Sequence, residues 1–237
     1  MKASLVAVPM ILAGAVFEVL YRLGRGYGAE PAERAAALPG DDLVPGADVV
    51  CTHATTINAP PGRVWPWLQQ VGWHRGGWYT ARWVDQLLFP DHWASADELI
   101  PDYQHLAVGD FIPDGAPETG CGFTVEELQP ERYMLLRSTT HLPRSWRNRG
   151  IAALDWTWVF LVEPLDGGTR TRFIFRWRAQ THPWWLRLLC HAVVVPADFL
   201  MSRDMLRGLR QRAERTDEQM LANAGVDGTS GRSLNAT

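Results

Sequence analysis

The stretch TRTRFIFRWRAQ (residues 169–180) decides the fold. Thr171, Phe173, Phe175 and Trp177 alternate with Arg170, Arg172, Arg176 and Arg178, and Ile174 is the one apolar residue on the arginine side. Period-two alternation of this kind, rich in aromatic residues, is a strand with one apolar face. Such a strand belongs to an antiparallel sheet whose apolar face has to be covered by another layer. Working backwards, DGG (166–168) is a hairpin turn signal that joins it to DWTWVFLVEP (155–164). RYMLLRST (132–139), CGFTVEELQ (121–129) and the short GDFIPDG (109–115) continue the run of strands, and DVVCTHATTIN (48–58) opens the domain with a further one. The arginine side of 169–178 is expected to be a solvated surface, or to meet anionic headgroups if a bilayer is near.

Working forwards, WWLRLLCHAVVV (184–195) is apolar nearly all round. Pro196 then breaks or kinks the helix, and Phe199, Leu206, Leu209, Ala213 and Met220 fall on one stripe beyond it. This long helix supplies the missing layer. Two short helices are expected between the first strand and the rest. One follows Pro60 and Pro61, with Val64, Trp67 and Leu68 at helical spacing, and the other lies near 80–89. The fold class is therefore α+β, a curved antiparallel sheet wrapped around a long C-terminal helix. The space between them is the natural ligand cavity, since such sites are concave and mostly apolar.

The remaining segments bound the function. The 237-residue chain carries a net charge of −3, against the basic balance expected of a nucleic-acid binder. Its three cysteines show no metal-binding or disulfide spacing, and none of its seven histidines forms a paired metal motif, so no metal and no cofactor is expected. Residues 1–21 form an apolar N-terminal helix, whose uncharged run 3–17 is shorter than the roughly 20 residues of a bilayer core unless it extends past Glu18 to Tyr21. A membrane anchor, a helix lying on a surface and a signal peptide are all consistent with it. As an anchor, with Arg22, Arg25 and Arg34 behind it, it would leave the domain on the cytoplasmic side; the alternative is a cytoplasmic protein. Residues 22–47 read as a linker packing on the domain, 48–221 as the domain and 222–237 as a disordered tail.

Twelve tryptophans in one domain imply either a bulky core or a cavity with aromatic walls. RGGWYT (75–80) has two glycines that would turn Trp78 and Tyr79 inward. Arg75, Tyr79 and Asp85 are the candidate catalytic groups. Arg75 would neutralise an enolate or carboxylate, the Tyr79 hydroxyl would orient a carbonyl, and Asp85 would either pair with Arg75 or Arg82 or move a proton. Trp67, Trp78, Tyr79, Trp156, Trp158, Phe173, Phe175 and Trp177 are the candidate ligand-binding residues. His141 and His182 both follow strands and are placed to meet at one end of the sheet.

TINAPPGRVWPWL (56–68), RGGWY (75–79), LPGDDLVP (38–45) and PADFLMSRDMLRGLRQRAE (196–214) resemble the SRPBCC, or START-like, superfamily, and within it an actinobacterial, membrane-linked, polyketide cyclase-like group. The resemblance spans 38–214 and implies a helix-grip fold with a hydrophobic cavity. It does not imply one reaction, because members bind lipids, sterols, polyketides or hormones, and some are cyclases or dehydratases. Three functions follow as alternatives: a carrier of a lipid- or polyketide-like molecule with membrane association, a cyclase or dehydratase acting in the same cavity, and an interaction module whose tryptophans fill the core.

Overall fold

The computed structural model describes residues 2–88 and 94–215. The expected tail, and the last helix beyond residue 215, lie outside the described residues. The chain runs α1 (Lys2–Gly26), α2 (Pro31–Ala35), β1 (Val49–Ile57), α3 (Pro61–Gln69), α4 (Arg82–Leu88), β2 (Phe111–Pro113), β3 (Gly122–Gln129), β4 (Tyr133–Ser138), α5 (Arg144–Asn148), β5 (Ala153–Leu165), β6 (Arg170–His182) and α6 (Trp184–Leu189). After a π-helical turn at Cys190–Val194 it ends in α7 (Val195–Ala213). The strands form one antiparallel sheet in the order β1-β6-β5-β4-β3-β2. The result is the α+β helix-grip architecture, with α7 lying across the concave face.

Sheet register sorts the side chains. Phe160 pairs with Phe175, Trp158 with Trp177 and Trp156 with Ala179, while on the other flank of β6 His53 pairs with Phe175 and Cys51 with Trp177. Directly paired residues share a face, so His53 points inward with the aromatics. Arg172, Arg176 and Arg178 point outward, opposite Thr56, Thr52 and Val50.

That outer face is not the solvated surface expected from the sequence. Arg176, only 2% exposed, donates to Thr52 Oγ1, to the carbonyls of Glu33, Arg34 and Ala36, and to Asp41 Oδ2 at 2.7 Å. Arg172 grips Glu33 with two bonds of 2.6 and 2.8 Å and also reaches Thr56 and the Gly28 carbonyl. Arg178 donates to the Val44 carbonyl. Residues 28–44 are thus strapped across the convex face by guanidinium forks, whose five donors suit carbonyls and carboxylates together. The paired arginine holds the Glu33 carboxyl below its ordinary pKa.

Two glycines set how closely the helices sit. A Cβ on Gly208 of α7 would lie 2.0 Å from the Tyr79 carbonyl oxygen, and one on Gly24 of α1 would lie 1.8 Å from that of Val195. So α7 rests on the backbone of the 75–80 turn, and α1 rests on the start of α7. Pro196 brings no N–H to the helix, and the π turn adjusts to it: the Val195 N–H reaches back to the Cys190 carbonyl. The continuous helix Trp184–Ala213 is long and apolar enough to cross a membrane, but its α7 part covers the sheet. Met10, Ile11, Leu12, Val16 and Val19 of α1 are exposed.

Candidate functional site

The concave face is filled at one end and open at the other. Where Phe160, Phe173 and Phe175 lie, α3 and the second half of α7 press Val64, Leu68, Leu206 and Leu209 into one closed core. Where Trp156, Trp158, Trp177 and Ala179 lie, the π turn and the first half of α7 leave a cavity of about 440 Å³. That volume lies within the roughly 300–1,000 Å³ of small-molecule sites. Trp78 closes it from the 75–80 turn, stacked on Trp158 at 5.1 Å. Leu189, Val193 and Val194 line it and are also 43–54% exposed, so the cavity reaches the surface beside the π turn.

Two His–Asp pairs border the cavity. In the first, His141 Nε2 lies 2.9 Å from Asp114 Oδ2, and Trp78 Nε1 donates to Asp114 Oδ1 at 2.8 Å. His141 Nδ1 meets the Ser138 hydroxyl at 2.7 Å. In the second, the His53 Nδ1 accepts the Tyr27 backbone N–H at 3.2 Å. A backbone N–H can only donate, so the His53 proton sits on Nε2 and is donated to Asp198 Oδ2 at 2.9 Å. Trp177 Nε1 at 3.1 Å and Ser202 Oγ at 3.0 Å donate to that same oxygen. The hydroxyl facing His141 can rotate to accept or to donate.

Of the residues singled out from the sequence, Trp78, Trp156, Trp158 and Trp177 line the cavity. Trp67, Tyr79, Phe173 and Phe175 do not. Phe173 and Phe175 belong to the filled end, where α7 lies directly on the sheet. Trp67 packs edge-on against Tyr79, with ring centres 5.8 Å apart. Tyr79, with a left-handed φ of 60°, turns its hydroxyl back to donate to the Trp67 carbonyl at 2.5 Å, and burial pushes the phenol pKa up. Arg75 faces away from the cavity as well. It donates to the carbonyls of Val71 and Gln69 and stacks over Tyr103 at 4.7 Å, fixing the turn. Asp85 is paired with neither Arg75 nor Arg82. It accepts from Thr80 Oγ1 and Ser95, and burial raises its pKa. It does not line the cavity, although Thr80 does. His182 is exposed, and His141 meets Asp114 instead.

Sequence reasoning missed Asp114, Asp198, Thr80 and Ser202 as wall residues, and His53 behind Asp198. Partners 27 and 145 positions apart leave no spacing signature. The usable hint was an acid, Asp198, in the first turn of an otherwise apolar helix segment. Among the described residues, no group of side chains is arranged to hold a metal ion.

No family model matches the chain, and no curated protein matches it. Among solved structures, the hypothetical protein jhp0584 from Helicobacter pylori is 15% identical over 76% of this chain and 96% of its own, with a TM-score of 0.44. Protein MLL2253 from Mesorhizobium loti is 16% identical over 71% and 98%, with a TM-score of 0.39. Likenesses this distant carry no functional argument.

Proposed function

We propose that this protein binds a hydrophobic small molecule, lipid- or polyketide-like, in the cavity between the sheet and the C-terminal helix, in the manner of an SRPBCC-type carrier held at a membrane. The cavity itself carries the reading: it has four indole walls and an apolar rim that reaches the surface, and it abuts a core that is otherwise closed. A protein of this size has no packing reason to leave such a volume empty, because unfilled apolar space costs contact energy. The exposed apolar residues of α1 support association with a bilayer. The basic residues that follow, Arg22, Arg25 and Arg34, favour the cytoplasmic side.

One observation favours a second reading, an enzyme of cyclase or dehydratase type. His141 lines the cavity with Asp114 2.9 Å from its Nε2, a His–Asp arrangement that suits general acid–base work.

Nile red, a neutral hydrophobic dye, tests the binding reading on the full chain. The strap and α1 are built into the fold, so neither should be trimmed away. The wild type is expected to give a saturable rise in dye fluorescence, Ala179→Trp to abolish it by filling the cavity, and Trp184→Ser, on the exposed surface, to leave it unchanged. Dye binding untouched by Ala179→Trp would place the dye elsewhere and remove the support for this reading.

A further inference from the structure

The polar groups around the cavity are unevenly spent. Trp78 Nε1 and His141 Nε2 donate to Asp114, Trp177 Nε1 and Ser202 Oγ to Asp198, and Thr80 Oγ1 to Asp85. The indole nitrogens of Trp156 and Trp158 have no acceptor, but both are enclosed by neighbouring groups and present nothing to the cavity. Apart from those two enclosed indole N–H groups, the weak Cys190 thiol is the one donor left over among the described lining side chains. Acceptors, by contrast, remain. Asp198 takes all three of its bonds on Oδ2, and Oδ1 has no partner among the described residues. Thr80 Oγ1 and Ser202 Oγ keep lone pairs once their protons are committed.

The charge is equally one-sided. Two aspartates line the cavity and no lysine or arginine does. His53 has its Nδ1 taken by the Tyr27 N–H and meets Asp198 through Nε2 alone. The walls between the two acids are indole faces, which attract cations through the ring quadrupole.

From this pattern we infer that the ligand carries a protonated amine, whose N–H reaches Asp198 Oδ1 while its apolar body lies against Trp156, Trp158 and Trp177. The inference rests on the cavity being a ligand site, and it narrows the ligand to hydrophobic amines. A carboxylate would meet two aspartates and no accessible donor stronger than the Cys190 thiol. A neutral alcohol would find an acceptor but no charge to answer.

The test is a matched series, 4-phenylbutylamine, 4-phenylbutan-1-ol and 4-phenylbutanoate, titrated calorimetrically into the full chain at neutral pH. The amine is expected to bind about tenfold tighter than the alcohol, given charge-assisted bonding and the aromatic walls, and the acid weakest. Asp198→Asn puts an amide N–H near the vacant acceptor and is expected to bring amine and alcohol to within about twofold of each other. If that variant lacks the wild-type circular dichroism, the wild-type series alone decides. An amine no tighter than the alcohol, or an acid as tight as either, overturns the amine assignment and leaves the cavity as a ligand site. No heat from any of the three overturns both.

Discussion

The two ends of one concave sheet face differ in what covers them. At the Phe160–Phe175 end, α3 and the second half of α7 meet the aromatic rings directly, and every ring is closed in. At the Trp156–Trp177 end, the same sheet with the same alternation faces a π turn and a proline, and the helix stands off. Aromatic residues alone therefore do not distinguish core from cavity here. The covering element does, and the open end it leaves is lined by two carboxylates among its apolar side chains.

The sharpest break between the ends should appear in stability. Phe175→Ala is expected to cost about 3–5 kcal/mol in urea unfolding, as for large-to-small changes in closed cores. Asp198→Ala should come next, at about 3 kcal/mol, because it strands the Trp177 and His53 donors, each worth about 1–3 kcal/mol when left unsatisfied. Trp156→Ala should cost only about 2 kcal/mol, since part of its ring faces empty space rather than protein. Equal losses for Phe175→Ala and Trp156→Ala would mean that the two ends are equally packed.

The smallest effect lies behind the open end, at Asp85. Burial raises its pKa in the folded state. The folded protein then holds this proton to higher pH than the unfolded chain does. The stability it contributes is full below the unfolded pKa and is lost as pH rises through the folded value. Wild type minus Asp85→Asn, followed by urea unfolding from pH 3 upward, should therefore decline with pH. A difference that rises would show that Thr80 and Ser95 outweigh burial.

Much of the fold was legible because β6 writes its two faces in alternate letters and because helix periodicity survives past Pro196. Its outer face was misjudged. Arg172, Arg176 and Arg178 look like solvent residues, and many of their acceptors are backbone carbonyls of residues 28–44, which no sequence pattern announces. The site was half legible for a related reason. Indoles near the start of β5 and the end of β6 were readable, but which end α7 would leave open depends on Gly208 seating it on Tyr79. The His–Asp pairs join residues 27 and 145 positions apart across different elements, so no spacing pattern marked them as pairs.

Native mass spectrometry of the full chain, purified from its expression host and then extracted with organic solvent, tests the central claim most directly. The account predicts a non-covalent adduct at one per chain, released by extraction as a hydrophobic compound and absent from Ala179→Trp. A wild-type chain at its bare mass, with tryptophan fluorescence unchanged by hydrophobic amines, alcohols and acids alike, would contradict it.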